Sequence, residues 1–176
     1  MSFRIYATCD IGQEALQRLR DKGWALEVYD RIEPPPQSLI IEQVKSGVDA
    51  LITTLRDQID ESVFAAGHAA GLKMVAQMAV GFDNIDRAAA NKHKLPFSNT
   101  ADVLTDATAE FAFLIMGAAA RMTWPSEQMV REQTWSTWHP WHPWLGVEVT
   151  GRTVAVLGTG RIGKSFIKKA VGFDMD

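Results

Sequence analysis

Over the first hundred residues, short strand-like apolar runs recur between helical stretches, and that rhythm admits few folds. The strand runs are Arg4-Ile-Tyr-Ala-Thr-Cys9, Ala25 to Asp30, Ala50 to Leu55, Leu72 to Met78, and Leu95 to Asn99. Between them lie helical patterns over 12–22, 37–45, 61–66 and 83–92. The first buries Ala15, Leu16 and Leu19 on one stripe and stops at Gly23. Pro34-Pro35-Pro36 forms a stiff extended link into the second, and Pro96 limits the last strand to a sheet edge. Strands alternating with helices in this way predict a parallel sheet with helices on both faces.

From Asp102 to Arg121 one long helix is expected, with Asp102 or Thr105 as its cap. Apolar residues nearly surround it, so burial on most sides, between domains or subunits, is expected. A second helix restarts at Thr123 with Pro125 in its first turn. The domain break is placed near residue 100.

Near the C-terminus, Thr153-Val-Ala-Val-Leu runs straight into Gly158-Thr-Gly160-Arg-Ile-Gly163. The continuous apolar run predicts a strand covered on both faces. In a G-x-G-x-x-G turn the first glycine makes the tight turn and the second lets backbone approach a pyrophosphate. The third lets helix and strand pack closely. The helix that follows, with Ile162, Phe166, Ile167 and Ala170 on one side, turns its free N–H groups and positive dipole end toward phosphate. Arg161 is placed to add a charge-assisted bond. A dinucleotide-binding unit then needs a second strand ending in an acidic ribose ligand about 20 residues on. Asp174 and Asp176 follow a helix end and turn with no strand between, so the acidic ribose ligand is expected either outside residues 1–176 or not at all.

Composition narrows the class. A hydrophobic content of 47%, charged content of 22% and net charge of −3 describe a globular chain with no electrostatic pull toward nucleic acid or anionic membrane. The single cysteine, Cys9, excludes an internal disulfide framework and fits a reducing cytoplasm; at the end of an apolar run it reads as a buried small side chain. The longest uncharged apolar run, Phe111 to Ala120, is too short to span a bilayer.

Several segments, in order, resemble the D-isomer-specific 2-hydroxyacid dehydrogenases, in the branch of glyoxylate and hydroxypyruvate reductases. They are Val80-Gly-Phe-Asp-Asn-Ile-Asp86, Asn99-Thr100, Val103-Leu-Thr-Asp-Ala-Thr-Ala-Glu110, Ala118-Ala-Ala-Arg121, the Trp-rich arm, and Gly151-Arg-Thr-Val leading into the glycine motif. The resemblance spans roughly residues 50–176. The fold class expected is α/β. A flavodoxin-like parallel-sheet substrate domain over 1–100 precedes the start of a Rossmann NAD(P)-binding domain over 101–176.

The resemblance implies a small 2-oxo or 2-hydroxy acid as substrate and NAD or NADP as cofactor. It assigns the backbone N–H groups of Val80 and Gly81 to the substrate carboxylate, with Leu55 and Arg56 on the same rim. An ordinary strand-to-helix turn capped by Asp83, and a solvated Arg56, remain the plain alternatives. It assigns Gly158, Gly160, Arg161, Ile162, Gly163 and Thr105 to the dinucleotide. The family's catalytic Arg, Glu and His have no match here, so residues 1–176 alone are expected to be inactive. The alternative is a non-catalytic module that binds a 2-oxo acid or dimerises.

The four histidines do not replace the missing acid. His68 lies in a small-residue turn region and His93 ends a helix. His139 and His142 fall in Trp138-His-Pro-Trp141-His-Pro-Trp144, where prolines block helical ligand geometry and no carboxylate or thiol cluster accompanies them, so no metal site is expected. Five of the six tryptophans lie between Trp124 and Trp144, a density suited to packing across an interface or to an arm folded back on its own chain; the resemblance implies the former, a homodimer through 102–144.

Overall fold

A computed structural model describes residues 2–176. The chain divides into two compact units, Met1–Ala101 and Asp102–Asp176. The first unit runs β1 (Arg4–Ala7), α1 (Gln13–Arg20), β2 (Ala25–Val28), α2 (Gln37–Lys45), β3 (Ala50–Thr53), α3 (Glu61–Ala70), β4 (Met74–Gln77), α4 (Arg87–His93) and β5 (Phe97–Ser98). All strand pairs are parallel, in the order β2-β1-β3-β4-β5. This is the flavodoxin-like order, which places the carboxyl ends of all five strands along one edge.

The core explains why these runs became strands. Tyr6, Leu51 and Val75, one from each of the three middle strands, are buried with Ile40 and Val44 of α2, Val63 and Phe64 of α3, and Ala89 and Ala90 of α4. Ile5 and Ala7, which alternate to the opposite face of β1, are buried too. Leu16 is the buried residue of the α1 stripe. Tyr6 is 1% exposed and its hydroxyl has no hydrogen-bond partner among the described residues; burial pushes its phenol up to about 12, with Glu27, Tyr29 and Asp57 adding to the shift.

Three expected boundaries move. The helix expected over 61–66 continues to Ala70, because its stop is Gly71, whose φ of 83° supplies the left-handed C-terminal turn. Gly67 and His68 therefore sit inside α3. The helix expected from Asp83 starts at Arg87, capped by the Asp86 carboxylate on the Ala89 N–H, because 82–85 is held in a loop by the Ile59–Ile85 bridge. The 95–99 strand shortens to two residues beside Pro96.

The second unit holds α5 (Thr105–Ala120), α6 (Thr123–Arg131) and α7 (Arg161–Val171). Neither Asp102 nor Thr105 caps α5: Leu104 occupies the cap position without a side-chain bond, and Asp102 takes a φ of 69°. Within the single chain α5 is covered on one side only. Phe113 packs against Phe166 and Phe173, while Phe111, Leu114 and Ile115 stay exposed.

The run 153–158 forms no ladder strand, because among the described residues its only backbone neighbour is the last residue. Val154 N–H donates to Asp176 O at 2.7 Å and Asp176 N–H to Arg152 O at 3.1 Å, one step of a parallel pairing. One face is covered instead of two: Val154 and Val156 are half-buried, whereas Leu157 is fully exposed.

Two surface carboxylates make the first unit's stability respond to acid. Asp49 is held below its ordinary 3.8 by the Lys73 ammonium, then by the Arg4 N–H, and Glu61 below its ordinary 4.5 by Lys92 and then His93. A depressed folded pKa contributes stability that is present above the unfolded value and lost as pH falls through the folded one. Urea midpoints at low salt are therefore expected to hold level down to about pH 4.5 and fall below it. With Asp49→Asn and Glu61→Gln together, the acid-side fall is expected to flatten; an unchanged slope would discount both pairs.

Candidate functional site

Two loops at the carboxyl edge of the first sheet, 54–57 after β3 and 78–86 after β4, are joined by buried polar side chains. Asp57, 2% exposed, accepts on Oδ2 from Thr8 Oγ1 (2.6 Å), Thr54 N (2.7 Å) and Thr54 Oγ1 (3.2 Å). Its Oδ1 is buried and has no hydrogen-bond partner among the described residues. Gln77, also 2% exposed, accepts on Oε1 from Thr53 Oγ1 (2.9 Å) and donates from Nε2 to Asn84 Oδ1 (2.6 Å) and Gly81 O (3.0 Å). Asn84 Nδ2 donates to Thr54 O (3.1 Å) and Asp57 O (2.8 Å). Apolar strands thus end in a polar lock that fixes both loops against each other.

That lock brings Leu55 and Arg56 onto the same edge as Val80 and Gly81. Leu55 is 67% exposed and Gly81 is exposed. A Cβ built on Gly81 meets nothing within 4 Å, so the chain itself imposes no steric need for glycine there. Asp83 is not a cap. Among the described residues, no protein acceptor meets the N–H groups of Val80, Gly81 or Phe82. Arg56 is turned aside: its Nη1 donates to Ile32 O at 2.6 Å, and it lines a crevice of about 570 Å³ with Cys9, Asp10 and Arg31. Burial pushes the Cys9 thiol up, against the pull of Arg56, so it is an inert small side chain.

In the second unit the glycine loop has the geometry its sequence calls for. Gly158 has a φ of 96°, and a Cβ on Gly163 would overlap the Gly158 carbonyl oxygen. A Cβ on Gly160 meets nothing. α7 starts at Arg161 with no side-chain cap, and its first bond is Lys164 N–H to Gly160 O at 2.9 Å. The N–H groups of Arg161, Ile162 and Gly163 therefore stay open among the described residues. Two side-chain contacts tie this end of α7 to α5: Arg161 Nε to Asp102 Oδ1 at 3.0 Å, and Ser165 Oγ to Asp106 Oδ1 at 2.6 Å. The Ser165 hydroxyl, then Lys169, holds Asp106 below the usual carboxylate range. Thr105 lies between the two tethered aspartates. Asp176, beside Thr153, is about 16 Å along the run from Gly158 at strand rise, at the wrong end to reach a ribose.

The histidines are otherwise engaged. His93 Nε2 meets Glu61 Oε1 at 2.8 Å, and its ring centroid lies 5.7 Å from that of His68. His139 Nδ1 accepts the Trp141 N–H at 3.1 Å and His142 Nδ1 the Trp144 N–H at 3.3 Å, so each His-Pro-Trp step closes its own turn.

With this geometry in hand, residues 5–158 match the family described as D-isomer specific 2-hydroxyacid dehydrogenase, catalytic domain. The chain belongs to that family. Among curated relatives it is 41% identical over 175 residues to a glyoxylate reductase of Korarchaeum cryptofilum, and 39% identical over 178 residues to one of Pyrococcus horikoshii. Each match covers 99% of this chain and 52% of the relative, so the chain spans about half the length of the curated relatives it matches. The crystal structure of the TT0316 protein from Thermus thermophilus superposes with a TM-score of 0.89 at 34% identity, over 98% of this chain and 54% of that one. A structure from Polaromonas, described as a D-isomer specific 2-hydroxyacid dehydrogenase, gives 0.85 at 32%, over 99% and 54%. Among the described residues no helix is long and apolar enough to cross a membrane.

Sequence reading overlooked Thr8, Asp57, Gln77 and Asn84. The available signal was polar side chains at the carboxyl ends of apolar strands, where an unpaired group is costly. Asp57→Ala removes the acceptor of three buried donors and is expected to lower stability by about 3 kcal/mol in urea titration. A loss under about 1 kcal/mol would mean the lock contributes little.

Proposed function

We propose that residues 1–176 supply the acid-binding and dinucleotide-binding loops of an NAD- or NADP-dependent oxidoreductase. Its reaction interconverts small 2-oxo acids, such as glyoxylate or hydroxypyruvate, with D-2-hydroxy acids. The observation that carries this reading, beyond the family, is a run of unpaired backbone N–H groups on each of two exposed loops. Such groups form nests for anions. Val80 and Gly81 would hold the substrate carboxylate, with Leu55 an apolar wall beside it. Arg56 would act there only after leaving Ile32 O.

At the second loop, Gly160, Arg161 and Ile162 would take the pyrophosphate on the open α7 terminus, where the dipole favours negative charge. The Arg161 pair with Asp102 uses Nε and leaves the fork of the guanidinium for phosphate. Thr105 would flank the cofactor from the first turn of α5. The bound nicotinamide supplies the hydride; the chain's part is to bind and orient. The catalytic Arg, Glu and His that the resemblance implies have no match in residues 1–176, so binding without turnover is the activity proposed for these residues alone.

Fluorescence titration with NADH and NADPH tests the cofactor half. Gly160→Ala is expected to leave thermal stability unchanged, since its Cβ meets open space, while weakening binding at least about tenfold. Equal binding by Gly160→Ala would remove the pyrophosphate from this loop.

The exposed apolar side chains Phe111, Leu114 and Ile115 on α5, and Trp124, Trp135, Trp138 and Trp141 after it, favour a second reading of the same chain as a pairing module. So many large apolar groups left in water favour association, and a second copy is the proposed occupant. Sedimentation at micromolar concentration is expected to give a dimer that Leu114→Glu dissociates. A monodisperse monomer would contradict it.

A further inference from the structure

We infer that Asn99 and Gln77 are positioning residues that aim a three-peptide anion nest at Val80, Gly81 and Phe82. The inference rests on the proposed role of this loop in holding a carboxylate, and extends it. In a trans peptide, the C=O of one residue and the N–H of the next point in opposite directions. Tying down a carbonyl on the protein side therefore turns the following N–H away from the protein.

Three successive carbonyls are tied down in this way. Ala79 O accepts from Thr100 N at 2.9 Å, Val80 O from Asn99 Nδ2 at 2.8 Å, and Gly81 O from Gln77 Nε2 at 3.0 Å. The N–H groups that follow are those of Val80, Gly81 and Phe82, and none meets a protein acceptor among the described residues. Each donor comes from a different place: the backbone after β5, a side chain after β5, and the last residue of β4. Their agreement in sense makes the loop a preorganised donor surface, with all three N–H groups free for one anion. Gln77 is itself fixed by Thr53 and Asn84, so the aim of the Phe82 N–H is set from the buried lock. Asn99 is only half-buried, and its Nδ2 has this one protein acceptor.

The test follows each amide separately. The ¹⁵N-labelled 176-residue chain is titrated with glyoxylate and, as an unreactive dicarboxylate, oxalate, recording the Val80, Gly81 and Phe82 amide resonances. In the unaltered chain all three are expected to shift with a single Kd. Asn99→Leu removes the donor without adding charge, and is expected to weaken binding about tenfold. It should abolish the response of Gly81 while Val80, aimed by the Thr100 N–H, still shifts. Asn99→Ser, which is shorter and keeps loop polarity, is expected to give the same selective loss should the leucine variant fold poorly. A uniform fall across all three amides, or binding within twofold of the unaltered chain, would reduce Asn99 to a structural role and overturn the inference. No response at any of the three in the unaltered chain would overturn the carboxylate-loop reading itself, and this inference with it.

Discussion

One carboxylate oxygen, Oδ2 of Asp57, gathers two hydroxyls and a backbone N–H at the carboxyl edge of the first sheet. Everything that gives that edge a shape depends on this convergence. Thr8 brings in β1, and Thr54 the end of β3. The backbone carbonyl of Asp57 then receives Asn84, which draws in the loop after β4. Burying a polar oxygen is costly unless donors replace its lost hydration, and three donors do so here. The same burial keeps the loops stiff, since a donor that left Asp57 would find no water to replace it. Fixed loops can display N–H groups that remain unpaired toward solvent.

The second unit solves a related problem by sterics. Gly158 takes a backbone conformation closed to side chains, and Gly163 lets the first turn of α7 pass against the Gly158 carbonyl. The helix terminus that results has no capping side chain. Asp102 and Asp106, both exposed, brace it through Arg161 and Ser165 without covering its N–H groups. Such exposed contacts contribute little stability in water, and their role is orientation.

Much of the fold was legible because alternation of apolar runs and helices in a parallel sheet is dictated by period and turn chemistry. The five strands, their parallel sense and the glycine loop follow from local pattern. What pattern missed was settled by partners distant in sequence. The start of α4 shifted because Ile59 captured Ile85, and the expected cap at Asp102 was lost to an ion pair with Arg161. The run 153–158 reads as a strand in sequence, yet a strand needs a neighbour to bond with. For the site, Val80 and Gly81 could be named in advance only through family likeness. In the proposed site their N–H groups are aimed by Gln77, Asn84 and Asn99, amides whose significance depends on which carbonyl they reach. The histidine pair of the Trp-rich arm shows the converse. Its spacing invites thoughts of metal, while its nitrogens close backbone turns.

Unpaired backbone N–H groups on two built loops are, on the proposed reading, what this chain offers to its ligands. A crystal structure of the chain grown with oxalate and NADH tests it most directly. Carboxylate oxygens are expected within hydrogen-bond distance of the Val80 and Gly81 nitrogens, and pyrophosphate oxygens on the Gly160–Ile162 amides. Oxalate seated instead in the Cys9, Arg31 and Arg56 crevice, with the Val80–Phe82 amides still facing solvent, would contradict it.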